Sequence, residues 1–169
     1  MNSGFDHGTV RLTLPGGERR TYQLDPAVHR IVVTDSLSGE TLFTIGRRGS
    51  TLGSFDVPLD LALVAPAFDT DTGLVPAAGY WLAVADYGNA RVQIFDLDGS
   101  LIDVLTGADL DYGWRPCGLS WRAPFLQVEG VEGRGCRVHL AAAMLAHLGA
   151  QLPNPNARVS QASAGEGRH

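Results

Sequence analysis

The pattern Asp-x4-Arg-x4-Asp occurs twice in this chain, at a spacing of 61 residues. The first copy is Asp25, Arg30 and Asp35; the second is Asp86, Arg91 and Asp96. Each is followed by an apolar run closing on glycine, Gly46 and Gly107. At that shift Val92 falls on Ile31, Val104 on Phe43 and Leu105 on Thr44. Upstream, Gly53-Ser54-Phe55-Asp56 resembles Gly4-Phe5-Asp6 at a shorter displacement, which places a longer connection near residues 65–79 in the second copy. A third copy is fainter. Trp114-Arg115-Pro116 matches Phe55-Asp56-Val57-Pro58, and Arg137-Val138-His139-Leu140 matches Arg91-Val92-Gln93-Ile94, with Gly149 at the end. Self-similarity at this spacing points to a solenoid, propeller or array and outranks local propensities.

Within each copy the apolar residues alternate and turn residues punctuate them. Thr9–Leu14, Arg19–Leu24, Arg30–Thr34 and Thr41–Ile45 read as four strands, with turns at Pro15-Gly16-Gly17, Asp25-Pro26 and Ser38-Gly39. Pro58–Val64, then Trp81–Ala85, Arg91–Phe95 and the run after Asp98-Gly99 repeat the set; Asp-Gly is a strong hairpin signal. Cys117–Trp121, Phe125–Glu129 and Cys136–Leu140 read as strands of the third unit. Beyond them two signals compete. The repeat demands another strand, while Leu140, Met144, Leu145 and Leu148 have helical spacing among helix-favouring alanines. A short C-terminal helix over 141–152 is the expectation. Residues 153–169, rich in Asn, Ser and Gly, read as a disordered tail.

The second copy, Gly53-Ser54-Phe55-x-x-Pro58 followed by Leu82-Ala-Val-Ala-Asp86-Tyr-Gly-Asn89-Ala-Arg91-Val-Gln-Ile-Phe-Asp96-Leu-Asp-Gly99, resembles the NHL repeat, the blade of NHL-type β-propellers. The first copy departs from it at Pro26 and Val28; the third keeps Pro116 and Arg137. The resemblance covers residues about 5–149. It implies an all-β chain, a partial propeller of three four-stranded antiparallel blades at about 5–46, 53–107 and 114–149 in a domain of 1–152. It implies a scaffold and no single reaction, since such propellers include protein-binding, RNA-binding, sensor and lyase members.

Composition narrows the function. Twenty-one glycines and nine prolines suit short strands joined by tight turns. All 13 basic residues are Arg, and the net charge of −5 opposes general binding of a nucleic-acid backbone. No run of 18 apolar residues is present, so no spanning helix is expected. The first residues lack a basic start and an apolar run, so a cytoplasmic location is expected.

Candidate chemistry centres on Asp86, Asn89 and Arg91. One reading makes them a polar site on a loop. The preferred reading has Asp86 and Asn89 bonding the turn backbone and Arg91 pairing with a carboxylate, because the motif belongs to the repeat. Arg47 and Arg48 lie in a connection that the resemblance places on the loop-bearing face, often the binding face; a solvated loop is the preferred reading and a ligand site the alternative. Asp69-Thr-Asp71-Thr-Gly73 begins like a calcium loop but does not complete the pattern. The five histidines, His7, His29, His139, His147 and His169, show no metal spacing. No phosphate-binding loop or nucleophile elbow is present. Of the innermost strands, only Pro58–Val64 holds a carboxylate, Asp60.

Cys117 and Cys136 fall on the first and third strands of one blade, about 9.5 Å apart across a middle strand. That exceeds disulfide reach, so both are expected as thiols. The function expected is a non-enzymatic module binding a protein or peptide, without cofactor; a metal-dependent lyase- or hydrolase-like propeller and a fragment of a longer propeller are the alternatives. Three blades cannot close a ring. The outward faces of the first and third are expected to be bare apolar sheet, which predicts a homodimer closing at six blades.

Overall fold

A computed structural model describes residues 8–64, 80–107, 110, 115–122 and 125–140. The Asp69–Gly73 turn, Asp109 and Asp111, the segment expected as a C-terminal helix and the tail lie outside the described residues. The described residues are all-β, with three antiparallel sheets in chain order. The first holds β1 (Thr9–Thr13), β2 (Arg19–Asp25), β3 (Arg30–Asp35) and β4 (Thr41–Ile45). The second holds β5 (Pro58–Val64), β6 (Trp81–Asp86), β7 (Arg91–Asp96) and β8 (Leu101–Leu105). The third holds β9 (Pro116–Arg122), β10 (Phe125–Gly130) and β11 (Gly135–His139), three strands among the described residues.

The sheets stack face to face, and two apolar layers cement them. Tyr22, Ile31 and Val33 of the first sheet pack with Leu82, Val84 and Phe95 of the second, around Phe55 from the connector. Trp81, Ala83, Val92 and Ile94 of the second pack with Leu126 and Val128 of the third. All six residues of β6 are therefore buried. A continuous apolar run is what a strand covered on both faces requires. Phe55 sits edge-on to Phe95 with ring centres 5.6 Å apart. It packs so closely on Gly46, at φ +84°, that a side chain there would run into its ring.

The repeat is structural, with two corrections to its register. Asp25 faces Arg30 across β2–β3 as Asp86 faces Arg91 across β6–β7. His29 and Ala90, equivalent at the same shift, both take left-handed φ, 54° and 51°. The shift then changes at the next hairpin. Ile31 pairs with Ile45, and Val92 with Leu105, so Leu105 corresponds to Ile45 rather than Thr44. The turn after Asp35 holds one residue more than the turn after Asp96, which a fixed shift cannot follow. In the third sheet Gly130 pairs with Pro116 as Asp86 pairs with Pro58, and its N–H meets the Arg134 carbonyl at 2.7 Å. Arg134, not Arg137, thus occupies the position of Arg91; the turn before it is one residue shorter.

Innermost strands of all three sheets meet at Asp60. Its Oδ1 accepts the N–H of Gly8 at 3.1 Å and of Leu61 at 2.8 Å, and its Oδ2 that of Leu119 at 2.7 Å. The lone carboxylate of these strands is a structural pin. Cys117 and Cys136 lie on β9 and β11 with β10 between them, and form no disulfide.

The outward faces of the two end sheets are polar, not apolar as expected. Leu82, Val84, Phe95 and Leu97 form the face of the second sheet that meets the first. Their equivalents on the first sheet are Thr21, Gln23, Thr34 and Ser36, and the Thr21 and Ser36 hydroxyls bond to each other at 2.8 Å. Trp81, Ala83 and Ile94 form the face that meets the third. Their equivalents there are Phe125, Gln127 and Arg137. Periodicity shows which residues share a face, but whether a face is covered is read only by comparing the same position between repeats.

Candidate functional site

The connector from β4 to β5 crosses the end of the sheets where the β2–β3, β6–β7 and β10–β11 turns also lie. It is held from below by one polar cluster. Asp86 is fully buried and Arg91 nearly so. Arg91 Nε donates to Asp86 Oδ2 at 2.7 Å. Its Nη1 donates to the Ser50 carbonyl at 3.0 Å, and Nη2 to those of Thr51 and Ser54, both at 2.8 Å. Asp86 Oδ1 accepts the Asp56 N–H at 2.7 Å. Asn89 Nδ2 donates to Asp86 Oδ2 and to the Gly49 carbonyl, both at 2.9 Å. Gln93 completes the clamp: Nε2 donates to the Ser54 carbonyl at 2.7 Å, and Oε1 accepts the Gly53 N–H at 2.9 Å.

Buried charge persists where it is paired and its remaining hydrogen-bonding capacity is used. Here the partners are loop carbonyls that no strand could satisfy. The fork of Arg suits them: Nε serves Asp86 while the two Nη nitrogens serve three such acceptors. Asp86, Asn89 and Arg91 are thus brought together, with their polar atoms directed at the chain's own backbone. Gln93 was missed by sequence reasoning. Its signal was a carboxamide at an inward position, between Val92 and Ile94.

The turn joins the same lock. Gly88 N–H donates to the Asp56 carbonyl at 2.7 Å. A Cβ on Gly88 would sit 2.5 Å from that oxygen, so only glycine fits. On the other side, Arg115 Nη1 donates to the carbonyls of Tyr87 at 3.1 Å and Gly88 at 2.5 Å, with its guanidinium 5.6 Å from the Tyr87 ring centre. The residue before the first proline of each following sheet grips the turn of the preceding one. Val57 does the same to His29, its N–H donating to Nδ1 at 2.9 Å.

Arg47 and Arg48 are placed apart from this cluster. Their backbones are fixed, with the Phe55 N–H donating to the Arg47 carbonyl at 2.8 Å and a parallel bridge from Arg48 to Phe55. Their side chains are exposed and pair with no group among the described residues. Leu52, in the same connector, is 67% exposed.

The opposite end is latched separately. Tyr22 Oη donates to the Leu97 carbonyl at 2.8 Å and Arg20 Nη1 to Asp98 at 3.1 Å. Burial pushes the Tyr22 phenol above its ordinary value. Backbone N–H groups of Ser38 and Leu37 hold Asp35 below its own. An open concavity of about 360 Å³ lies on the outward face of the third sheet, lined by Ser120, Arg122, Phe125, Gln127, Glu129 and Arg137. Among the described residues no three His, Cys, Asp or Glu side chains group as metal ligands, and no helix is long and apolar enough to cross a membrane. The chain matches no protein-family model, and a search of curated proteins finds no match.

Proposed function

We propose that the chain is an open array of three NHL-type propeller blades, and that it acts as a binding module for a protein or peptide segment. The contacts are presented by the β4–β5 connector, with Arg47, Arg48 and Leu52 as their core. One observation carries the reading. Asp86, Asn89, Arg91 and Gln93 spend their polar atoms on the connector from beneath, while its two arginines and a leucine stand exposed above. A rigid loop with exposed, unpaired contact groups loses little entropy when it binds.

Convergent titratable groups, which a catalytic reading requires, are not what supports this one. The reading also takes the chain as a single copy. Ring closure by a second copy would bury Thr21, Gln23 and Thr34 against Gln127 and Arg137, and polar groups resist that burial unless each is paired. The thiols Cys117 and Cys136 suit a reducing compartment such as the cytoplasm.

Selection of displayed random peptides against the wild-type protein, scored again on Arg47→Glu/Arg48→Glu, tests the proposal. Enriched peptides should lose about tenfold or more in affinity on the variant, as hot-spot contacts do. Peptides that bind both proteins equally would refute it.

A further inference from the structure

His29 closes the β2–β3 turn, and its side chain is 13% exposed. Its Nδ1 accepts the backbone N–H of Val57 at 2.9 Å. A ring nitrogen that accepts carries no proton, so this contact requires the imidazole with its hydrogen on Nε2. The Asp56 Oδ1 lies 3.8 Å from the same Nδ1. Both ends of the contact are left-handed, His29 at φ 54° and Val57 at φ 47°. For a β-branched residue that conformation is a true outlier and persists only while its surroundings hold it.

We propose that His29 is a proton-operated latch on the connector. A proton taken from solvent at Nδ1 turns the acceptor into a donor. The Val57 N–H then faces another N–H, and the imidazolium turns to the Asp56 carboxylate, which gains an opposite charge. Val57 loses the hydrogen bond that opposes its strain and relaxes, at the point where the connector enters β5. The surrounding charges leave Asp56 as the new partner. Asp86 is committed to Arg91 and to the Asp56 N–H. On the turn itself, Asp25 accepts the Ala27 N–H at 3.1 Å and Arg30 is exposed.

The change is local, because Arg91 and Gln93 still hold residues 50–54. Its consequence, a pH-dependent setting of the loop beside Arg47, Arg48 and Leu52, rests on the binding reading above. The latch does not, and its test uses no ligand.

Amide hydrogen exchange at Val57 should be followed by NMR across the titration of the His29 imidazole, with the Gly53 amide as internal reference. Val57 protection, corrected for intrinsic exchange, should fall about tenfold or more as His29 protonates, while Gly53 stays constant. Asn at 29 tolerates left-handed φ and offers an oxygen acceptor that does not titrate. His29→Asn should therefore abolish the pH dependence at Val57. Unchanged Val57 protection while wild-type His29 titrates would overturn the latch, as would an equal pH response in the variant. Should His29→Asn fail to fold, the wild-type comparison of Val57 with Gly53 decides alone. Failure of the peptide selection would remove the binding reading and leave this result standing.

Discussion

Replacing Arg91 by Ala takes out the cation of a pair whose carboxylate has no solvent exposure. Breaking such a pair from one side costs about 3–5 kcal/mol, because the remaining charge stays buried. The surroundings place this case near the lower end. Asp86 would keep three donors: the Asp56 N–H, Asn89 and Gln93. The Ser54 carbonyl would keep Gln93, and those of Ser50 and Thr51 belong to exposed residues that water can reach. A loss of about 3 kcal/mol follows, a large share of a stability of about 5–15 kcal/mol. Urea unfolding at neutral pH measures it. Asp86→Ala should cost a similar amount, and the double variant should fall short of the sum by about 1.5 kcal/mol or more. Arg30→Ala, at the equivalent exposed position, should lie within about 0.5 kcal/mol of wild type. Additivity of Asp86→Ala and Arg91→Ala, or a loss under about 1 kcal/mol for Arg91→Ala, would refute the clamp.

Gly88→Ala should destabilise by about 2 kcal/mol in the same assay, since its new methyl meets backbone that cannot turn aside. Tyr22 contributes fully below the unfolded phenol value near 10, and that contribution disappears as pH rises through its raised folded value. Tyr22→Phe should therefore lose about 1 kcal/mol at neutral pH and decline less steeply in alkaline titration; an unchanged decline would count against the buried phenol. Gln23→Lys on the outward face of the first sheet should change stability by under about 0.5 kcal/mol, while Val84→Lys at the equivalent buried position should prevent folding. Sedimentation at micromolar concentration should give the mass of one chain, and a dimer that Gln23→Lys dissociates would restore ring closure.

Strands were legible because three local signals agree in them. Alternation, β-branched residues and glycine-marked turns place β1 to β11 within a residue or two of their observed ends. The spacing of Asp25–Arg30 and Asp86–Arg91 was legible for the same reason, since both pairs span one tight turn. What the pairs do was only half legible. The ion pair of Arg91 with a carboxylate is observed, but Asp86 and Asn89, expected on the turn backbone, instead meet the Asp56 N–H and the Gly49 carbonyl of the connector. The main work of Arg91 is on the carbonyls of Ser50, Thr51 and Ser54, about 40 residues earlier in the chain. A carbonyl looks the same in every residue, so no side-chain pattern announces it as the partner of an arginine. The contact of His29 with Val57 was hidden likewise, because the donor is an amide and the backbone angle is unusual for valine.

The two conserved geometries of the repeat also separate what binds a sheet to its neighbour from what ends the stack. Asp25 and Arg30 keep the register of the clamp, yet Arg30 is exposed and Val28 and Val32 stand where Asn89 and Gln93 stand in the second sheet. The first sheet thus keeps the turn that the repeat specifies and lacks the carboxamides that grip a preceding connector. Its outward face changes in the same sense, Leu82, Val84 and Phe95 giving way to Thr21, Gln23 and Thr34. On the outward face of the third sheet stand Gln127 and Arg137, and Gly130 takes the place of Asp86.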